Sequence, residues 1–487
     1  MRVRSEGWRS ARWRDGGSQP HVGVLEQPSL AGGAAAGTLP GPWPARSRGK
    51  AASAEPAPAG TLPRIEDRFR WPWQGVEWSL GYVAFLGYVF VISSYVVNAG
   101  QLLMLTALLG VTLGSRERWR LPAAMGMFLL FIIEVGLTYK VTEYRYYDTK
   151  PLQDLVKVFL IALVSVNVLN SRARIRFFMF FYLGTFALFP VRGGVFNWFF
   201  YRATTQGRVA WNHIFENPND FAALMIFPLG LCLAFLVAER LRTLRVLSFI
   251  GLAVIPMVVF MTQSRGAILA LGGGAVTYFA LQGRGRLKAF LGFAAIAVVV
   301  ATFAPSDVWS RLSSLKSASS SGKLEEANDR RSAEQRLEIW KVAWSVHEAF
   351  PITGVGWAGY PNAHMAFARR TGFDRIASGA RDTHNTYLTV LAETGWIGLG
   401  LWLTLIGLVV SKALRAMRRV RSYAAEYAMQ LKMLLLSLLS YGACAVFGSF
   451  AHMSFTYLHL TTILALATVT LQEVDAFERG PVRRRSA

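Results

Sequence analysis

From Leu80 to Leu471 the sequence alternates long apolar blocks with short polar connections. The blocks run Leu80 to Val97, Leu102 to Leu113, Leu121 to Leu137, Leu155 to Leu169, Phe177 to Phe189 and Phe221 to Ala238. They continue with Val246 to Met261, Ala267 to Leu281, Leu287 to Phe303, Gly395 to Val410, Met433 to Phe450 and Leu458 to Leu471. This pattern predicts an all-α polytopic membrane protein with about 12 transmembrane helices. The second and fifth blocks fall short of the ~20 residues that a straight crossing needs, so a re-entrant path is open to both.

Residues 1–78 differ in kind, being rich in Gly, Ala, Pro, Ser and Arg without apolar periodicity. Such a segment buries too little surface to offset the entropy of ordering, so a disordered basic cytosolic extension is expected, dispensable or the product of an over-extended gene start. No apolar core follows its early arginines, which argues against a signal peptide.

Composition agrees with the block pattern. Of 487 residues, 53% are apolar and only 17% charged, too oily for a soluble chain of this size. The net charge of +23 would suit nucleic acid, but the excess Lys and Arg sits between apolar blocks, where it sets topology instead. Cys232 and Cys444 both fall inside apolar blocks, so neither a disulfide framework nor a cysteine metal site is expected.

The basic connections are 115–120, 170–176, 239–245, 282–288 and 411–422, and all share one side if the N-terminus is cytosolic. The positive-inside rule then puts both termini in the cytosol. The organisation expected is 79–303 for transmembrane helices 1–9, 304–385 for an external catalytic loop, 386–472 for helices 10–12 and 473–487 for a basic cytosolic tail.

Chemistry is therefore sought outside. Residues 190–220 carry Arg192, Arg202, Arg208 and the turn Asn217 to Asp220; a tight turn ends at Arg265; the long loop runs from Ala304 to Thr383. In that loop, Leu337, Trp340, Trp344 and His347 recur at helical spacing, which predicts an amphipathic helix over 332–350. Arg192 and Arg202 are equally well read as lipid-headgroup anchors. Arg265 opens an apolar helix at the interface, where its guanidinium is suited to gripping phosphate bidentately. Metal chemistry is not expected, because no Asp-x-Asp pair and no His-Glu-x-x-His occurs. His452 and His459, seven apart, lack carboxylates near them in sequence, and Glu134 is an ionisable exception within an apolar block.

His384 and Asn385 close the long loop, and nine residues separate them from Gly395–Trp396–Ile397–Gly398. This resembles the His-Asn-x9-Gly-x-x-Gly signature of the bacterial O-antigen ligase and polymerase superfamily, and Arg265 to Leu269 resembles its Arg-x-x-x-Leu element. Asn217 to Met225 looks like the family's Asn-Pro-Asn segment, and the likeness covers about residues 80–475. It implies a GT-C-like fold with a periplasmic catalytic loop, in the bacterial inner membrane. It further implies an inverting glycosyltransferase that moves a glycan from undecaprenyl diphosphate to an acceptor hydroxyl, in lipopolysaccharide or surface polysaccharide biosynthesis. No cofactor and no metal is implied.

In that reading Arg265 and Arg208 stabilise the departing diphosphate, Arg336 is a weaker third, and His384 takes the acceptor proton or contacts the donor. Asn385 orients the loop or caps the next helix. The acceptor is lipid A core, another polysaccharide or a protein hydroxyl. An O-antigen or exopolysaccharide polymerase and a protein O-oligosaccharyltransferase share this motif set. A lipid-linked glycan transporter fits less well, since no inverted repeat is found.

Overall fold

Backbone polar groups inside a bilayer have no water to bond, so apolar blocks of this length must satisfy themselves as helices. A computed structural model describes residues 62, 63, 69, 71–114, 119–144, 149–205, 207–281, 291, 294, 324–370 and 372–479. The chain is helical without a β-strand among them, and they belong to one compact unit, residues 56–487. In order the helices are α1 (Leu80–Ser94), α2 (Gly100–Gly114), α3 (Ala123–Val141), α4 (Lys150–Val168), α5 (Arg172–Tyr201) and α6 (Pro218–Ala238). There follow α7 (Arg242–Met261), α8 (Arg265–Leu281), α9 (Leu324–Ala349), α10 (Tyr360–Phe367), α11 (Thr386–Val420), α12 (Ala425–Cys444) and α13 (Ser454–Glu478).

Eight of these are long and apolar enough to cross a membrane among the described residues: α3 to α7 and α11 to α13. That differs from the twelve expected. Helices α1 and α2 have 15 residues each and α8 has 17, while the expected block Leu287 to Phe303 lies outside the described residues. Helix α1 stops at Tyr95, which turns left-handed at φ 54°. The fifth block is not short but extended to 30 residues. It carries π-type turns at Ala187–Val191 and Asn197–Tyr201, the first around Pro190, whose missing N–H breaks the regular ladder.

Small residues set the closest helix approaches, as expected where apolar lipid gives no force for helix association. A Cβ on Gly110 of α2 would lie 2.4 Å from the backbone nitrogen of Gly81 in α1. Gly230 of α6 meets Ser437, and Gly274 of α8 meets Ser440, both on α12.

The bundle has two chemically distinct ends. At one, the arginines of 170–176 are not loop charges but buried structural ties. Arg172 pairs with Glu473 of α13 at 2.6 Å, Arg176 pairs with Glu239, and the Arg174 Nε donates to the Glu77 carbonyl. The tail end of the expected disordered extension also packs here. Leu62 and Phe69 are buried, the Leu62 amide donates to the Tyr423 carbonyl, and the Tyr427 hydroxyl donates to the Pro63 carbonyl.

At the other end lie 202–217, the turn 262–264, the segment 350–385 and the turn 448–453. Helix α9 runs from Leu324 rather than beginning near 332, and its buried face (Ile339, Val342, Ala343, Val346) packs on α10 and α11.

Candidate active site

Three local devices converge at this end. The first is a tight hairpin, Thr205 to Arg208, closed by the Thr205 amide on the Arg208 carbonyl and turned by Gly207 at φ 70°. From it Arg208 reaches two elements, its Nε donating to the Thr262 carbonyl at 2.7 Å and its Nη2 to Asn219 Oδ1 at 2.7 Å. Asn219 stands at the start of α6, where Pro218 needs no hydrogen-bond partner and the Asn217 side chain caps the first turn by accepting from the Asn219 amide. Arg208 therefore ties the Asn-Pro-Asn turn to the end of α7.

The second device is the turn between α7 and α8. Thr262, Gln263 and Ser264 are all buried, and Gln263 adopts φ 53°, a left-handed conformation that costs energy outside glycine. The Thr262 hydroxyl accepts from the Ser264 amide, and the Gln263 side chain donates to the Gly207 carbonyl. Arg265 is thereby set as the first residue of α8. Gly266 follows because a Cβ there would sit 2.7 Å from Cβ of Phe447.

The third device presents His384. It too is left-handed, at φ 50°. On one side, the Trp340 indole of α9 donates to the carbonyl of fully buried Thr383 at 2.9 Å. The Thr383 hydroxyl donates to the Asn385 carbonyl and accepts from the Asn385 amide. On the other side, the Asn385 side chain caps α11 by accepting from the amides of Tyr387 and Leu388, and the Thr386 hydroxyl donates to the Gly448 carbonyl. Both neighbours of the imidazole are thus spent on structure, while the half-buried ring makes no hydrogen bond to a described residue.

Helix α9 brings Arg336 to the same place. Burial, and next the positive charge of Arg265, draw its basicity below the usual guanidinium range, although a guanidinium stays charged. Its charge in turn acts on His384. Burial first and then Arg336 hold that imidazole below its ordinary pKa of 6.5, with Asp382 opposing them. Arg336 is thus close enough to both Arg265 and His384 for their charges to interact, while Arg208 is anchored between the start of α6 and the end of α7. Such a field is suited to a polyanion, and the imidazole within it is the neutral, proton-accepting form at neutral pH.

The nine-residue spacing after Asn385 also has a physical origin. The kink in α11 falls at Gly395, with φ 63° and ψ −165°. At this break the chain at Pro351–Gly356 inserts. The amides of Val355 and Gly356 donate to the Ala392 and Glu393 carbonyls, and the Trp396 amide donates to the Pro351 carbonyl. A Cβ at Gly395 would stand 2.2 Å from the Ile352 carbonyl oxygen.

Other expected groups lie elsewhere. Arg192 stacks over Phe196 at 4.7 Å and lines a separate apolar cavity of about 550 Å³ between α5 and α7. His459 is buried against Ser437 and Phe227, whereas His452 pairs with Glu393 across 3.1 Å, so the two histidines share no site. Glu134 has both carboxyl oxygens buried without a hydrogen-bond partner among the described residues. The pairing of His452 with Glu393 was not readable beforehand, because 59 residues separate them.

Residues 249–403 match the family model described as O-antigen ligase. The matched stretch starts in α7 and ends in α11, and contains Arg265, Arg336, His384, Asn385 and both glycines of the kinked motif; Arg208 lies before it. No curated protein matches the chain.

Proposed function

We propose that this chain, a multi-pass membrane glycan enzyme carrying an O-antigen ligase domain, transfers a glycan from undecaprenyl diphosphate to an acceptor hydroxyl. The reading places both termini in the cytosol and the His384 end of the bundle on the periplasmic face of the inner membrane, because the basic connections alternate with the helices. It is supported above all by one relationship: burial and then Arg336 hold the His384 imidazole below its ordinary pKa, and Arg336 itself feels the charge of Arg265 on another helix.

The acceptor oxygen loses its proton to the His384 imidazole as it attacks the anomeric carbon. The bond from that carbon to the diphosphate oxygen breaks, and undecaprenyl diphosphate leaves with its electron pair. Attack from the face opposite the leaving group inverts the anomeric centre. Charge builds on the diphosphate as it departs, and in this reading Arg265 and Arg336 stabilise it. Arg208 carries part of that work, or supports the turn that does. Asn385, as the cap of α11, fixes the direction in which His384 points.

Lipid A core is the acceptor to test first, which would make the enzyme a ligase of lipopolysaccharide biosynthesis. The test is transfer by the purified full chain in lipid nanodiscs, supplied with undecaprenyl diphosphate-linked glycan and lipid A core, beside its His384→Ala variant. Glycan joined to lipid A core by the wild type alone supports the reading. Glycan extended on the carrier instead would make the enzyme a polymerase. No transfer to any hydroxyl acceptor would sink the proposal.

A further inference from the structure

A second polar site lies at the same end of the bundle, beside Glu393 of α11. A cavity of about 290 Å³ opens between the start of α4, the segment after the inserted chain, and the loop before α13. Its walls include Lys150, Asp154, Leu155, Trp357, His452 and Tyr457. Leu155, Trp357 and Tyr457 give it apolar and aromatic surface. The lining also carries the Lys150 ammonium, the His452 imidazole and the Asp154 carboxylate, whose Oδ1 accepts from Lys157 at 2.9 Å.

That imidazole is held as catalytic and binding histidines are held. Its Nε2 stands 3.1 Å from Oε2 of Glu393, a carboxylate only 2% exposed, while the His452 side chain is 33% exposed. With Nε2 engaged by Glu393, Nδ1 is the ring nitrogen left for a ligand. Its ring also packs on Trp357, with centroids 4.0 Å apart, which fixes its plane. Beside Trp357, Ala358 adopts φ 61°, so the cavity edge contains a strained non-glycine residue of the kind concentrated at ligand sites.

We propose that this cavity is a glycan subsite, holding a sugar unit of the acceptor that does not itself react. The proposal rests on the glycan-transfer reading given above. Volume decides against a lipid tail, since the cavity is at the small end of the ~300–1,000 Å³ range of ligand sites and Lys150, Asp154 and His452 interrupt its apolar lining. A sugar ring needs donors and acceptors along its edge and an apolar surface under its C–H face, and both are present. Distance decides against a second catalytic centre. Glu393 follows His384 by nine residues, about 13 Å along a helix axis, so a ring at His452 is too far away for its hydroxyl to give a proton to His384. The acceptor is preferred over the donor because Arg208 and Arg265 hold the α6 and α8 side, whereas this cavity faces α4 and α13.

The test places a photo-crosslinking amino acid, p-benzoylphenylalanine, in the full chain in its native membrane, separately at Asp154, at exposed Arg381 beside His384, and at lipid-facing Val156. Illumination is followed by periodate staining of the purified protein for attached sugar. Sugar-bearing adducts are expected at Asp154 and Arg381 and none at Val156. An adduct at Arg381 without one at Asp154 overturns the subsite and leaves the transfer reading standing, and absence at both counts against both. In transfer assays, Lys150→Ala and Asp154→Ala are expected to raise KM for the acceptor by roughly 3- to 10-fold with kcat within about twofold, as for lost uniform binding. Asp154 pairs with Lys157 at 2.9 Å on an exposed helix face, where such a pair contributes little to stability, so Lys157→Ala serves as the control for loss of that pair, and an unchanged acceptor KM in both Lys150→Ala and Asp154→Ala overturns the assignment.

Discussion

The Trp340 indole donates a hydrogen bond of 2.9 Å to the carbonyl of Thr383, the residue immediately before His384. One contact thus couples the loop helix that carries Arg336 to the backbone that aims the candidate base. Trp340→Phe keeps the ring and removes the donor. It should lower kcat by roughly 10-fold, with normal membrane abundance, since misaiming a catalytic group costs rate more than stability. Wild-type kcat in this variant, measured in the nanodisc transfer assay, would show that the tether is ornamental.

His384 should set the acid limb of the pH profile. The base works only when deprotonated, so kcat/KM should rise with pH, and its midpoint should lie below 6.5 because burial and then Arg336 favour the neutral ring. Arg336→Gln removes the second cause and should move the midpoint upward, whatever it does to the absolute rate. His384→Gln should lose roughly 10² to 10⁴ in rate and leave a residual activity without that limb. Retention of the same limb in His384→Gln would assign the proton to another group.

Arg265→Lys retains charge but not the planar fork, and should lose at least about 10-fold in kcat/KM for the lipid-linked donor. Arg192→Lys should stay within about threefold of wild type, since Arg192 packs on Phe196 beside a different cavity. Equal activity of the two variants at matched expression would remove Arg265 from the diphosphate site.

Gly395→Ala should destabilise the protein by on the order of 2 kcal/mol, because the new Cβ meets the Ile352 carbonyl at 2.2 Å in a conformation costly to L residues. Gly400→Ala, on the same helix with open space around it, is the comparison and should be neutral or mildly stabilising. Thermal unfolding of the solubilised protein followed by intrinsic fluorescence distinguishes them, and equal midpoints would mean the kink relaxes freely.

Membrane sidedness is open to reporter fusion. A cytosol-active reporter should give signal after Arg419 and a periplasm-active one after Gly322. The opposite pattern would invert the bundle and move the site to the cytosol.

Much of this was legible from residue order. Apolar blocks reveal helices because a bilayer leaves the backbone no alternative, and the turns around Asn217, Arg265 and Asn385 were visible because proline, a cap residue or a helix start marks each. What stayed hidden was burial of charge. The arginines of 170–176 read as surface charges, yet Arg172 and Arg176 meet Glu473 and Glu239 inside the protein, and no local pattern announces partners 301 and 63 residues away. The same limit concealed Glu393, which reads as one polar residue in an apolar helix until His452 is brought to it. Helix α1 ends early for a different reason, a left-handed Tyr95 that apolar periodicity does not register.

Thr386 to Thr394 is a short helix fastened at both ends, to Gly448 at its start and to the inserted Pro351–Gly356 chain at its finish. A helix turns about 100° per residue, so adding or deleting one residue between those fastenings would rotate His384 by that angle away from the arginines, or unseat the insert. The interval between the histidine and the glycine is therefore a gear setting. Its side chains are buried or half-buried throughout, and its length is fixed with them.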